Sequence, residues 1–332
     1  MELQERIKGG LWGVIVGDAL GFPLQFKDRQ RVKEEIPSPE KVQMVSGLWS
    51  DDSSLTLATA DALANYGPSL EKIAENFVRW FYEGAYTPTG YAFDEGRTTT
   101  IAIENLRAGL DPLSSGLKGD WDNGNGSLMR ILPATYWAYF KITDLREKLN
   151  FIHQVSAITH AHPRSMLGCG IYSFFIWNIL DGLPKKEAYE KTLKEVQDFY
   201  SSDERFKKEL KHYRRILSGE ILQLEEEDIK TSGYVVHTLE AALWGFMKFN
   251  SFEGILKRLV YLGDDADTVG AVAGSIAGTY YGLKSIPQNW LEKIERREFV
   301  EEIINRFLTI APSPNTSTPP EGRGLTLEGL TL

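Results

Sequence analysis

Apolar positions recur at helical spacing along most of the chain. Ile7, Leu11, Val14 and Ile15 fall at i, i+4, i+7 and i+8. Leu70, Ile73, Ala74, Phe77 and Phe81 keep the same rhythm behind the Gly67-Pro68 break. The run Val235 to Phe249 is rich in good helix formers and has only Gly245 as a breaker. Strand-like alternation is scarce, and no hairpin signal stands out. The pattern predicts an all-α fold.

Two stretches break the ordinary amphipathic scheme. Gly9, Gly13, Gly17 and Gly21 recur every four residues near one end, and Gly270, Gly274, Gly278 and Gly282 do so near the other. A glycine inside a helix costs roughly 1 kcal/mol against alanine, so a stripe of four implies close approach of another backbone along an i±4 row. The sequence leaves open whether the stripes meet each other or pack elsewhere. If they meet, residues 1–311 close into a single many-helix domain through its own ends. The Lys/Arg/Glu-rich stretch from Lys185 to Arg215, and Glu225 to Asp228 after it, read as solvated helix faces. Residues 312–332 are rich in Pro, Ser, Thr and Gly and are expected to form a flexible tail outside the fold.

Composition narrows the function classes. Against 37 Lys and Arg stand 46 Asp and Glu, a net charge of −9, which disfavours a non-specific grip on nucleic acid or an anionic membrane. Cys169 is alone, so no intrachain disulfide or cysteine-based zinc site can form. The first residues carry no apolar signal core, and no stretch approaches ~18 consecutive apolar residues. The expectation is a soluble, cytoplasmic protein, and with no heptad seam, a monomer.

Candidate chemistry lies where polar clusters open apolar helical runs. Ser50-Asp51-Asp52-Ser53 precedes one such run; a helix cap needs one of these groups, not four. Gly263-Asp264-Asp265-Ala266-Asp267-Thr268 opens the second glycine-striped segment, with three carboxylates that repel unless a cation neutralises them. Oxygen donors without cysteine point to Mg²⁺, Mn²⁺ or Ca²⁺, and the clusters together are enough for a two-metal centre. The glycine-rich Asp122-Asn123-Gly124-Asn125-Gly126-Ser127 segment reads either as an anion-cradling turn or as a tight loop with a cap. Thr159-His160-Ala161-His162-Pro163 offers two histidines, as ligands or as capping and packing residues.

The motifs GDALGFPLQF (17–26), WSDDSS (49–54), GNGSLMRILP (124–133), THAHP (159–163), SGYVVHTLEAALW (232–244) and GDDADTVGAVAGSIAGTYYG (263–282) occur in an order that resembles the ADP-ribosylglycohydrolases. That family includes the dinitrogenase reductase-activating glycohydrolase and the ADP-ribosylarginine hydrolases. The resemblance implies a compact all-α domain with a binuclear Mg²⁺ or Mn²⁺ site, ligated by Ser50, Asp51, Asp52, Asp265, Asp267 and Thr268. It implies hydrolysis of the bond between the distal ribose and a modified side chain of an ADP-ribosylated protein or small molecule. Asp122 matches the carboxylate that arginine-directed bacterial members use near the scissile linkage, and Asp52 is the second catalytic candidate. Gln25, Asn125, Gly126, Ser127, His160 and Tyr234 are then the substrate-binding residues. Gln25 stands where Glu is usual, and Asp264 where glycine is common.

Three readings follow. The first is a metal-dependent hydrolase of ADP-ribosylarginine, with an O-linked serine linkage as the variant. The second is a catalytically impaired ADP-ribose-binding member, motivated by Gln25. The third is a Mg²⁺-dependent helical enzyme acting on a prenyl diphosphate, which the absence of a D-D-x-x-D motif and the motif order oppose.

Overall fold

In the computed structural model, which describes residues 1–312, the apolar rhythm resolves into helices joined by turns and by a few longer segments that carry only short helical pieces. The longer ones are α1 (Leu3–Gly21), α2 (Asp51–Tyr66), α3 (Leu70–Glu83), α4 (Arg97–Arg107), α5 (Leu132–Lys141), α6 (Leu145–Ala157) and α7 (Pro163–Leu180). They continue with α8 (Lys185–Tyr200), α9 (Val235–Lys248), α10 (Phe252–Val260), α11 (Ala266–Tyr281) and α12 (Arg297–Leu308). No strand forms among the described residues; two isolated bridges join Leu117 to His160 and Gly124 to Tyr234. The expected tail, from residue 313 onward, lies outside the described residues. No helix among them is long and apolar enough to cross a membrane.

Local signals set the helix ends. Ser69 caps α3 by accepting from the Lys72 N–H, its apolar stripe buries Ile73, Ala74, Phe77 and Trp80, and Gly84 ends it in the left-handed region. The run expected over Val235 to Phe249 is α9, with Phe249 as its C-cap.

The glycine stripes meet each other. α1 and α11 pack antiparallel, with Gly9 against Gly278, Gly13 against Gly274, Gly17 against Gly270, and Gly21 against Ala266. A Cβ at any of these glycines would overlap the opposing backbone. Both helices are buried along most of their length, so neither shows a polar face in its sequence. Gly282 departs from the scheme: it ends α11 at φ +80° and faces Met1. The antiparallel register places the end of α1 beside the start of α11. α12 packs on α2 and α1, so both ends of the described chain close on one core.

The charged stretch is less uniformly solvated than its composition predicts. Glu209 is buried, where it accepts from Arg164 Nε at 2.9 Å and so ties the segment to the first turn of α7. Lys185 lies 4.4 Å over the Phe246 ring and donates to the Phe246 and Phe249 carbonyls, and burial pushes its ammonium down to about 8. Long stems packed on apolar surface explain both.

Candidate active site

The pairing of α1 with α11, and of both with α2, brings the two acidic clusters together. Ser50 caps α2, and Asp51 and Asp52 fill its first turn. Asp265 precedes α11, and Asp267 lies in its first turn. Carboxylate oxygens of Asp18, Asp52 and Asp267 all lie within 4.8 Å of one another, in the interior. Thr268 Oγ1 stands 3.0 Å from Asp265 Oδ1 and 3.3 Å from Asp52 Oδ2.

Asp18 organises this wall from behind. It accepts the Ser50 and Ser53 N–H groups at 3.0 and 3.1 Å and stands 2.9 Å from the Ser50 hydroxyl. Ser50 Oγ is also 2.9 Å from Asp52 Oδ2, and its one hydrogen cannot serve both carboxylates. Burial pushes Asp18 up to about 7, against four opposing hydrogen bonds from Ser50 and Ser53. Burial, then neighbouring carboxylates, drive Asp51, Asp52 and Asp267 well above the usual carboxylate range.

Two of these oxygens, Asp52 Oδ1 and Asp267 Oδ1, are buried without a hydrogen-bond partner. A buried carboxylate oxygen with nothing to accept from is costly unless protonated or ligating. An all-oxygen donor set converging on one interior point suits a hard divalent cation. The residues therefore fit the cation centre that their pattern implies.

A cavity of about 630 Å³ opens over this wall. Asp51, Asp265 and Thr268 line one side, and Gln25, Phe26, Asp94 and Asp264 the adjoining rim. The Gln25 amide, with its nitrogen turned inward, lies 2.8 Å from both Asp267 Oδ2 and Asp94 Oδ2. It bridges two carboxylates that would otherwise repel. Phe26 and Asp264 hold left-handed backbones, φ +61° and +59°. They are stitched together by Phe26 N–H to the Asp264 carbonyl at 2.7 Å and Asp264 N–H to the Lys27 carbonyl at 2.6 Å. The left-handed φ at 264 is one that glycine adopts without strain, which accounts for aspartate being the unusual residue there.

The opposite wall is the loop from Asp122 to Gly126, held by Asn125 N–H to the Gly233 carbonyl at 2.9 Å and Val235 N–H to the Asn123 carbonyl at 3.0 Å. The Asn125 N–H is thus spent on the protein. Asn125 Nδ2 reaches across to Asp265 Oδ2 at 2.6 Å, and Gly126 packs directly on the His160 imidazole. Asp122 is buried and not part of the lining; it lies beneath the lining residue Arg97, whose Nη1 is 3.0 Å from Asp122 Oδ1, while Oδ2 accepts the Gly119 N–H.

Two expected binding residues turn away. Ser127 is fully buried with its hydroxyl 2.8 Å from Ser156 Oγ and 3.5 Å from Cys169 Sγ, so its side chain belongs to the packing of α6 and α7. Tyr234 caps the start of α9 with its ring edge-on to His237, and it is Gly233 that reaches the cavity. The two histidines also diverge: His162 caps α7 and meets Asp120 at 3.0 Å, so they do not form a ligand pair.

The family model for ADP-ribosylglycohydrolases matches residues 1–316. The chain belongs to the ADP-ribosylglycohydrolase family. This glycohydrolase is 30% identical to the ADP-ribosylarginine hydrolase Tri1 of Pseudomonas putida (strain GB-1), over 93% of this chain and 79% of that protein. It is 28% identical to the ADP-ribosyl-[dinitrogen reductase] glycohydrolase of Rhodospirillum rubrum, over 92% and 94%. A solved structure titled an ADP-ribosylglycohydrolase-related protein complex superposes with a TM-score of 0.73 at 28% identity, covering 94% of this chain and 99% of that one. This glycohydrolase is an enzyme with an all-helical fold, and its acidic wall and cavity include residues that sequence reasoning passed over. Asp18 was visible as a charge on an apolar, glycine-striped helix. Asp94 and Arg97 carried no such sign, because their partners Gln25 and Asp122 are distant in sequence.

Proposed function

We propose that this glycohydrolase cleaves the bond between C1″ of the distal ribose and the guanidine of an ADP-ribosylated arginine. In this reading two divalent cations, Mg²⁺ or Mn²⁺, are held by Ser50, Asp51, Asp52, Asp265, Asp267 and Thr268. The observation that carries the linkage is the Arg97–Asp122 pair. Asp122 already accepts a guanidinium of its own chain at 3.0 Å, and that guanidinium belongs to Arg97, which lines the cavity and is 69% exposed at its side chain. The pair is open to solvent on the Arg97 side, and a substrate guanidine that takes the place of Arg97 on Asp122 keeps the same charge-assisted hydrogen bonds. The name of the Pseudomonas relative points the same way.

The cations, when bound, would fix the hydroxyls of the distal ribose and supply a water activated for attack at C1″. Asp122 orients the guanidine by charge-assisted hydrogen bonds. Asn125, anchored to Asp265 and to Thr238 Oγ1 at 2.8 Å, keeps the far wall in register with the acidic one. Asp52, held by Ser50 and Thr268, keeps Oδ1 free toward the centre.

Release of free ADP-ribose from ADP-ribosylated arginine, with ADP-ribosylated serine alongside, tests the reading in Mg²⁺, Mn²⁺ and EDTA. Metal-dependent release from arginine alone is expected; release from serine alone would discard the linkage. Asp122→Asn is expected to lower kcat on the arginine substrate by about a hundredfold or more, with ADP-ribose affinity retained.

A second reading, an ADP-ribose binder with impaired turnover, rests on the Gln25 amide saturating Asp94 and Asp267. Gln25→Glu separates the two. The variant puts a third carboxylate between two others, so its thermal midpoint in EDTA is expected to fall, and Mg²⁺ is expected to restore it. Turnover appearing only in this variant would establish the second reading.

A further inference from the structure

Arg130 is fully buried, has no carboxylate partner, and lies 4.6 Å over the Phe77 ring. Its guanidinium donates to the Val155 carbonyl at 3.2 Å and to Thr159 Oγ1 at 2.7 Å. Thr159 Oγ1 is in turn 2.8 Å from His160 Nδ1. His160 is 2% exposed, lines the cavity, and lays its Cε1–Nε2 edge against Gly126 and Gly124.

Proton counting fixes the histidine. Arg130 has only donors and nothing with which to accept, so it donates to Thr159, whose oxygen accepts. The Thr159 hydroxyl hydrogen then has one acceptor within reach, Nδ1. The opposite tautomer, with Nδ1–H, would leave that hydrogen buried and unpaired, at a cost avoided by the first arrangement. Burial and the neighbouring guanidinium hold the ring neutral, down to about 3, with Asp122 opposing. A neutral ring with Nδ1 accepting carries its one proton on Nε2. Among the described residues no acceptor meets Nε2, on a ring that lines the cavity.

We infer that Arg130 and Thr159 are positioning residues that lock His160 as an Nε2–H donor aimed at an acceptor oxygen of the ligand. The inference rests on the proposed function only for the identity of that ligand, ADP-ribose. His160 is then a fixed hydrogen-bond donor that neither takes nor gives up a proton. The buried cation behind it strengthens that donor toward an oxygen carrying negative charge.

The tautomer is read by ¹⁵N–¹H correlation spectra of the imidazoles in the full chain, with His160 assigned by its loss in His160→Gln. Protonated Nε2 and bare Nδ1 are expected at neutral pH. Thr159→Val, nearly isosteric, is expected to release the tautomer and weaken ADP-ribose binding by about tenfold. Thr159→Ser is expected to restore both. ADP-ribose affinity is measured by calorimetry, which does not need turnover. A wild-type ring protonated at Nδ1, or a Thr159→Val ring and affinity unchanged from wild type, would overturn the inference. Failure of the arginine-linkage reading would leave the tautomer result intact.

Discussion

The Asp267→Asn variant is expected to lose about a thousandfold or more of its ADP-ribose release and yet to be more stable than the parent in EDTA. Asp267 is buried, and its Oδ1 has no hydrogen-bond partner. An amide keeps the shape and removes a charge that neighbouring carboxylates oppose. The parent should gain several degrees of thermal midpoint from saturating Mg²⁺, since a ligand at about 100 times its Kd adds about 2.7 kcal/mol. The variant should gain little. Equal Mg²⁺ shifts in both proteins would remove Asp267 from the cation site.

The same cluster sets an unusual pH response. Asp18 is raised from 3.8 to about 7 by burial, so the folded protein keeps a proton that the unfolded chain has released. The native state therefore binds more protons across that window, and its stability falls as pH rises. Asp51, Asp52 and Asp267 act in the same direction. Urea midpoints of EDTA-treated protein should decline between about pH 4 and pH 7 from this source, and Mg²⁺ should offset the decline most at the upper end.

The second large effect lies in the helix seam. Gly13→Ala is expected to cost about 3 kcal/mol or more, the upper range for overpacking, because the new methyl would overlap the Gly274 carbonyl and neither backbone has room to yield. Gly96→Ala, where nothing lies within 4 Å, is the contrast and should cost under about 1 kcal/mol. Equal urea midpoints for the two variants would show the seam to be looser than its geometry. Cation affinity should weaken with Gly13→Ala as well, since the seam sets Gln25 against Asp267.

The stripes were legible because a glycine every four residues has few physical explanations. Their mutual pairing was not, since a stripe records close approach and carries no name for its partner. The acidic clusters were readable because each concentrates more charge than a cap requires. That Ser127 and Tyr234 lie outside the cavity lining was not legible, because a sequence places residues in a loop without stating which way their side chains turn. Here the helix packing of Ser156 and Cys169 claimed one, and the start of α9 claimed the other. Arg97 was hidden for a related reason: nothing in an exposed arginine announces a carboxylate 25 residues on.

The pairing of α1 with α11 also imposes a schedule on synthesis. α1 is made well before its partner, which begins only at Ala266, so at 5–20 residues per second the wait is roughly 10–50 s. Throughout that interval α1 can meet α2, but its glycine stripe has no backbone to close against. Nascent chains of this protein are therefore expected to be chaperone clients until the last part of translation, with the catalytic wall assembling only when the seam zips shut.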